Sequence, residues 1–100
     1  MNRCEFVHLH MHTQYSLMDG LIRIEDVVAR AREFKMQALA ITDHDNLFGT
    51  LDFYFAAINA GIKPIIGCEI SVVTGPVFSK SEDTANPPYH HLVLLCENDV

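Results

Sequence analysis

The sequence predicts an α/β fold with a mainly parallel sheet, in the order β-α-β-α-β-loop-β. A period-two run near the start, two stretches with apolar residues at three- and four-residue spacing, and short apolar runs of strand length beside them carry that expectation. Strands that alternate with helices pair in parallel through right-handed crossovers.

Phe6 to His12 forms the first expected strand. Val7, Leu9 and Met11 fall on one side of it, and His8, His10 and His12 on the other. Thr13 to Gly20 is polar and ends in Asp-Gly, a loop signature. Ile24, Val27, Val28, Ala31 and Phe34 then recur with charges between them, which predicts an amphipathic helix over about Ile24 to Lys35. Ala38 to Thr42 is apolar, short and β-branched at its end, as suits a buried parallel strand, and Asp43-His44-Asp45-Asn46 stops it. The stripe Leu51, Tyr54, Phe55, Ile58 predicts a second helix, closed by Gly61 in a left-handed conformation. Ile62 to Val73 contains a third strand beginning near Pro64, whose missing N–H is tolerable at a strand's first residue. Thr74 to Pro88 is a loop by composition, and Tyr89 to Cys96 is the last strand.

At 100 residues the chain has room for one domain at most, with neither internal repeat nor linker. No apolar run approaches the ~18 residues of a membrane span. Glu5 and two histidines interrupt the stretch where a secretory signal would be apolar, so a cytoplasmic protein without membrane contact is expected. Cys4, Cys68 and Cys96 are odd in number and far apart, the pattern of free thiols in a reducing compartment. Seven Lys plus Arg against thirteen Asp plus Glu give a net charge of −6, the wrong sign for an unaided grip on phosphate. A phosphate substrate would need another source of positive charge.

In parallel α/β sheets, sites form at the carboxyl ends of strands, where loops converge on one rim. The first strand ends in His10-Met11-His12, the second in Asp43-His44, and the third reaches Glu69 near its end. If the last strand returns antiparallel, His91 joins the same edge. An HxH pair on a strand holds both imidazoles on one face, about 6.5 to 7 Å apart at Cα, close enough to share an ion. Mixed N/O donors without thiolate suit Zn²⁺, Mn²⁺ or Fe²⁺.

The phrases HLHMHTQYSLMDG, ALAITDHDNLFG, AGIKPIIGCEISV and HHLVLLCEN together resemble the polymerase and histidinol phosphatase (PHP) domain, in the form carried by bacterial DNA polymerase III alpha subunits. HxH and TDH occur across the wider superfamily, whereas YSLMDG, NLFG and GIKPIIGCE look specific to the replicative branch. The resemblance covers nearly the whole chain. It implies a distorted (β/α)7 barrel of which residues 1–100 form the first part, a partial PHP domain without a second domain.

The resemblance also implies metal ligation by His10, His12, Asp19, His44, Glu69 and His91, with divalent ions as cofactor: Zn²⁺ or Mn²⁺, with Fe²⁺ or Mg²⁺ as alternatives. No catalytic group separate from these ligands is expected. A further Cys or His and a terminal Asp-x-His pair belong to the family pattern but not to this sequence. The implied function is a metal-dependent phosphoesterase site, of 3′-to-5′ exonuclease type, in a replicative DNA polymerase. The implied partners are the remainder of the polymerase chain, a DNA 3′ end held through metal-bound phosphate, and a proofreading subunit. A non-catalytic structural module and a free-standing PHP phosphatase are the alternative readings.

Each residue also has a plainer role open to it. Chain geometry allows both His8/His10 and His10/His12, and only the family's HTxxS continuation, here His12 to Ser16, selects the second pair. His8 is then a satisfied histidine on the strand or a neighbour hydrogen-bonding a ligand. Asp19 could serve only its Asp-Gly turn, and His44 could open a helix capped by Asp43 or Asp45. Asp43 is expected to stand behind the ligands and hold an imidazole. Glu69 lies in an apolar strand, where an unpaired carboxylate would be costly, so a metal or an Arg or Lys must answer it. His90 could replace His91, and the family pattern prefers His91. Lys63 is a surface charge or a phosphate contact.

Overall fold

The computed structural model describes residues 4–16, 20–73 and 89–98. The predicted helix α1 spans Ile24–Glu33, and buries Ile24, Val28 and Ala31, one stripe at four- and three-residue spacing. Glu25 and Asp26 sit in its first turn and Arg30 and Arg32 in its last, each sign opposed to the helix dipole. Lys35 adopts a left-handed φ of 59° and ends the helix two residues before the expected limit. Phe34 therefore leaves the stripe, stays exposed, and packs under the Arg30 guanidinium at 5.1 Å.

Strand β1, Ala38–His44, is buried from Ala38 through Asp43. Helix α2, Thr50–Asn59, follows, and Gly61 takes the expected left-handed φ of 75° behind it. Strands β2, Lys63–Val73, and β3, Tyr89–Leu95, complete a sheet of order β1-β2-β3. β1 and β2 are parallel and β3 returns antiparallel. The expected loop from Thr74 to Pro88 lies outside the described residues.

Two expectations need correction. The first expected strand is an extended entry segment rather than a laddered strand. It is tied to β1 by Ala40 N–H to His8 O (3.0 Å) and Thr42 N–H to Met11 O (2.9 Å). Three residues of the entry segment thus pass two residues of β1, and the extra residue breaks the alternation as a bulge does. Met11 is buried, but Leu9, expected beside it, is 46% exposed.

The stripe predicted for the core side of α2 faces outward instead: Leu51, Tyr54, Phe55 and Ile58 are all exposed. Phe53 and Ala57 are buried, with Ala56 and Ala60 packed beside them. Small residues let the helix backbone lie close to the sheet while one phenyl ring fills the gap. Helical periodicity alone could not decide between two apolar faces.

The core gathers Leu39 and Ile41 of β1 with Met11, Ile24, Val28, Phe53 and Ile62. Gly67 lies on the central strand, where a Cβ would stand 2.5 Å from Leu94 O and 3.0 Å from Thr42 Cγ2. The replacement Gly67→Ala is expected to cost about 1–3 kcal/mol by overpacking. Urea denaturation would register it as a lower midpoint at unchanged slope.

Candidate metal centre

The parallel register pairs His44, the last residue of β1, with Glu69, four residues before the end of β2, so both side chains stand on one face where the β1–β2 ladder stops. On β3, His91 pairs with Ser71, two residues beyond Glu69 and therefore on Glu69's face. The entry segment brings His10 and His12 over the same spot. Glu69 Oε1 lies 3.2 Å from His10 Nε2 and 3.5 Å from His91 Nδ1. Glu69 Oε2 contacts His12 Nε2 and lies 3.6 Å from His44 Nδ1. The glutamate side chain is only 5% exposed.

Two groups with metal-ligand geometry result, His10/His12/Glu69 and His44/Glu69/His91, each with its donor atoms within 4.8 Å of one another. Glu69 belongs to both. Its partners here are imidazoles, and the Arg or Lys alternative finds no counterpart among the ion pairs of the described residues. Burial would push the Glu69 carboxyl up, but the His12 hydrogen bond and positive charge on His12, His10 and His91 outweigh it and hold the group below the usual range. In the metal-free chain this ionised form stabilises the fold at pH above the ordinary glutamate value, a contribution lost as pH falls through the lowered one.

The donor set fits a divalent cation. His44 Nδ1 is buried without a hydrogen-bond partner and faces the Glu69 carboxylate, an arrangement of ring nitrogen and anion that a cation between them would satisfy. The donors are nitrogen and oxygen. Burial pushes the Cys68 thiol up, and its Sγ donates to the carbonyls of Asp43 (3.4 Å) and Asn46 (3.6 Å), leaving it a neutral thiol outside the cluster.

Of the two registers open in the sequence, His8/His10 and His10/His12, it is both residues of the second that contact Glu69. His8 does not share that cluster. It packs edge-on against Phe6 (5.2 Å between ring centres) and lines a cleft of about 520 Å³ with Ile22, Val27 and Phe34. His91 enters the cluster, with its ring 4.8 Å from that of His44, whereas the adjacent His90 alternates to the other face. Asp19 lies outside the described residues. Lys63 begins β2, opposite the end that carries Glu69 and ~20 Å from it at strand rise, so it contacts no phosphate held there.

The expectation that Asp43 holds an imidazole is corrected. Alternation puts Asp43 on the face of Leu39 and Ile41, opposite His44. Its buried carboxylate accepts from Thr13 N–H (2.5 Å), Thr13 Oγ1–H (2.7 Å) and Ser16 Oγ–H (2.8 Å). Ser16 Oγ in turn accepts from His44 N–H at 2.9 Å. Asp43 thus clamps the loop that follows His12 and the backbone of His44 together.

Thr13 and Ser16, 0% and 3% exposed, are the residues that sequence reasoning passed over. Their signal was present in the HTxxS phrase, used only to set the histidine register. Asp45 was weighed only as a cap. It sits at a left-handed φ of 53° beside the cluster.

An α/β sheet edge that gathers four imidazoles around one buried carboxylate has the nitrogen and oxygen donor set that defines the class of proteins with candidate divalent-cation sites. Comparisons with known proteins agree. The family model described as the PHP domain matches residues 8–100, and the chain belongs to the PHP domain family.

Among its relatives, the DNA polymerase III subunit alpha of Chlamydia pneumoniae is 46% identical over 94 residues, covering 94% of this chain and 8% of that protein. The same subunit from Aquifex aeolicus is 47% identical over 100 residues, covering 95% of this chain and 9% of that protein. The chain thus spans under a tenth of the length of these relatives. Solved structures with a similar fold include a metal-dependent phosphoesterase from Bifidobacterium adolescentis, with TM-score 0.59, 25% identity, and coverage of 87% of this chain and 25% of that one. An amidohydrolase from Chromobacterium violaceum, solved with sulfate and no metal, gives TM-score 0.62, 29% identity, and coverage of 89% and 26%. Among the described residues, no helix is long and apolar enough to cross a membrane.

Proposed function

We propose that this chain is the first part of a PHP barrel in a replicative DNA polymerase of the polymerase III alpha type, and that its histidine cluster belongs to a divalent-metal phosphoesterase site. The carrying observation is Glu69, a buried carboxylate faced by His10, His12, His44 and His91. The phosphoesterase among its structural neighbours and the polymerase relatives support this reading. Zn²⁺ or Mn²⁺ is the preferred occupant, with Fe²⁺ or Mg²⁺ as alternatives, and Asp19 a further candidate ligand.

Divalent ions held by these residues would supply a water acidic enough to ionise near neutral pH and positive charge for phosphoryl oxygens. His10, His12 and Glu69 would hold one ion, and His44, His91 and Glu69 another. Glu69 supplies the negative charge that links the two groups, and the Asp43 clamp holds His12 and His44 in place. Such a charge source answers the acidic balance of the chain, which by itself repels phosphate. The proposed substrate is a DNA 3′ end, cleaved in the 3′-to-5′ direction, with the rest of the polymerase chain and a proofreading subunit as partners.

A structural role for the same metals is the second reading, because the donors come from separate segments that an ion would staple together. The test uses the full-length polymerase with His12→Ala. The catalytic reading expects loss of Mn²⁺-dependent 3′ nucleotide release at a melting temperature within a few degrees of the parent. Normal release with a lowered melting temperature would overturn it in favour of the structural module.

A further inference from the structure

We infer that Asp45 is a positioning residue for His44, holding the imidazole by Nε2 so that the Nδ1 lone pair is turned toward Glu69; the inference rests on the metal-site reading above. His44 Nε2 lies 3.1 Å from Asp45 Oδ2, while Nδ1 is buried, has no hydrogen-bond partner, and points at Glu69 Oε2 from 3.6 Å. A neutral imidazole carries one N–H. With that hydrogen on Nε2, beside the Asp45 carboxylate, the inner nitrogen is the bare one, the form a cation needs.

The carboxylate that holds the ring is itself fixed. Asp45 N–H donates to Glu69 O at 2.8 Å, and Ser71 donates to the Asp45 carboxylate through N–H (3.1 Å, to Oδ1) and Oγ–H (3.1 Å, to Oδ2). A regular strand would place Asp45 on the face opposite His44. The left-handed φ of 53° swings the chain round and returns the carboxylate to the ring beside it. Aspartate and asparagine tolerate that conformation better than other non-glycine residues. One side chain therefore ties the end of β1 to β2 beside Glu69 and selects which nitrogen of His44 faces the cluster.

The experiment compares Asp45→Asn, Asp45→Ala and Ser71→Ala in the full-length protein, with Zn²⁺ alone as probe in chelator competition. Asp45→Ala is expected to weaken Zn²⁺ binding about 10- to 100-fold, the usual effect of removing such a support. Asp45→Asn, which keeps an acceptor oxygen and the backbone preference, should lose less and melt as the parent does when metal-free. Ser71→Ala leaves the contact to His44 in place and should lose least.

Nitrogen-15 spectra of the metal-free parent should place the His44 proton on Nε2, with a mixed tautomer in Asp45→Ala, a change that a merely structural role would not produce. Unchanged Zn²⁺ affinity in Asp45→Ala, or a parental His44 protonated on Nδ1 alone, would overturn the inference. Should the parent bind no metal, the metal-site reading fails by itself, and the tautomer comparison still decides what Asp45 does to His44.

Discussion

Glu69→Gln is expected to abolish retention of divalent metal by the site and to lower phosphoester hydrolysis by on the order of 10³-fold, about 4 kcal/mol of lost transition-state stabilisation. The glutamate belongs to both candidate ligand groups, so one substitution disables two positions. Glutamine preserves shape but removes the negative charge that faces His10, His12, His44 and His91, and its amide N–H₂ replaces one acceptor oxygen with a donor. Metal content after gel filtration and hydrolysis of a 3′-labelled DNA strand check this. A Glu69→Gln protein that keeps the parental metal content would remove Glu69 from the site.

Asp43→Ala is expected to be the most destabilising single change at the site, by about 3–5 kcal/mol. It strips the buried Thr13 N–H, Thr13 hydroxyl and Ser16 hydroxyl of their common acceptor and leaves a void at a position 2% exposed. Stabilities of small domains total only about 5–15 kcal/mol, so the loss is a large share of the whole. Asn repairs it in part, because its Oδ1 can still accept from Thr13 N–H and Ser16 Oγ–H while its N–H₂ meets the Thr13 hydroxyl, and it removes the negative charge. Metal affinity should fall with stability, since Thr13 follows His12 and Ser16 Oγ receives the His44 N–H. Chemical denaturation of metal-free and Zn²⁺-loaded protein tests both parts. An unfolding free energy within about 0.5 kcal/mol of the parent would show that the clamp contributes nothing.

The residues differ in how far the sequence foretold them. His10, His12, His44, Glu69 and His91 were legible through HxH, TDH, GCE and HHLVLL together with the family resemblance they carry, although only His44 closes a strand: HxH lies on the entry segment, Glu69 four residues before the end of β2, and His91 near the start of β3. Asp43 was legible as important but assigned the wrong contact. In TDH it is one residue from the histidine, and strand alternation sends it to the opposite face, where Thr13 and Ser16 wait. Asp45, not Asp43, is the carboxylate that lies beside the His44 ring, through a positive φ that composition does not announce. The outer stripe of α2 shows the same limit, since Phe53 and Ala57 with Ala56 and Ala60 make an equally apolar helical face.

By itself the sequence determined the alternation of elements, the limits of α1, β1, β2 and β3 to within a few residues, and the chemical kind of side chain at the strand ends. These follow from spacing along the chain, where local sterics and burial act. Only the tertiary structure decided that His10 and His12 rather than His8 reach Glu69, that Asp45 rather than Asp43 lies beside an imidazole, and which face of α2 is inside. Each of those depends on contacts between residues far apart in the chain, as His12 and Glu69 are at 57 positions. A bulge, a left-handed residue or the fit of a small side chain settles such contacts, and periodicity is the same whichever way they fall.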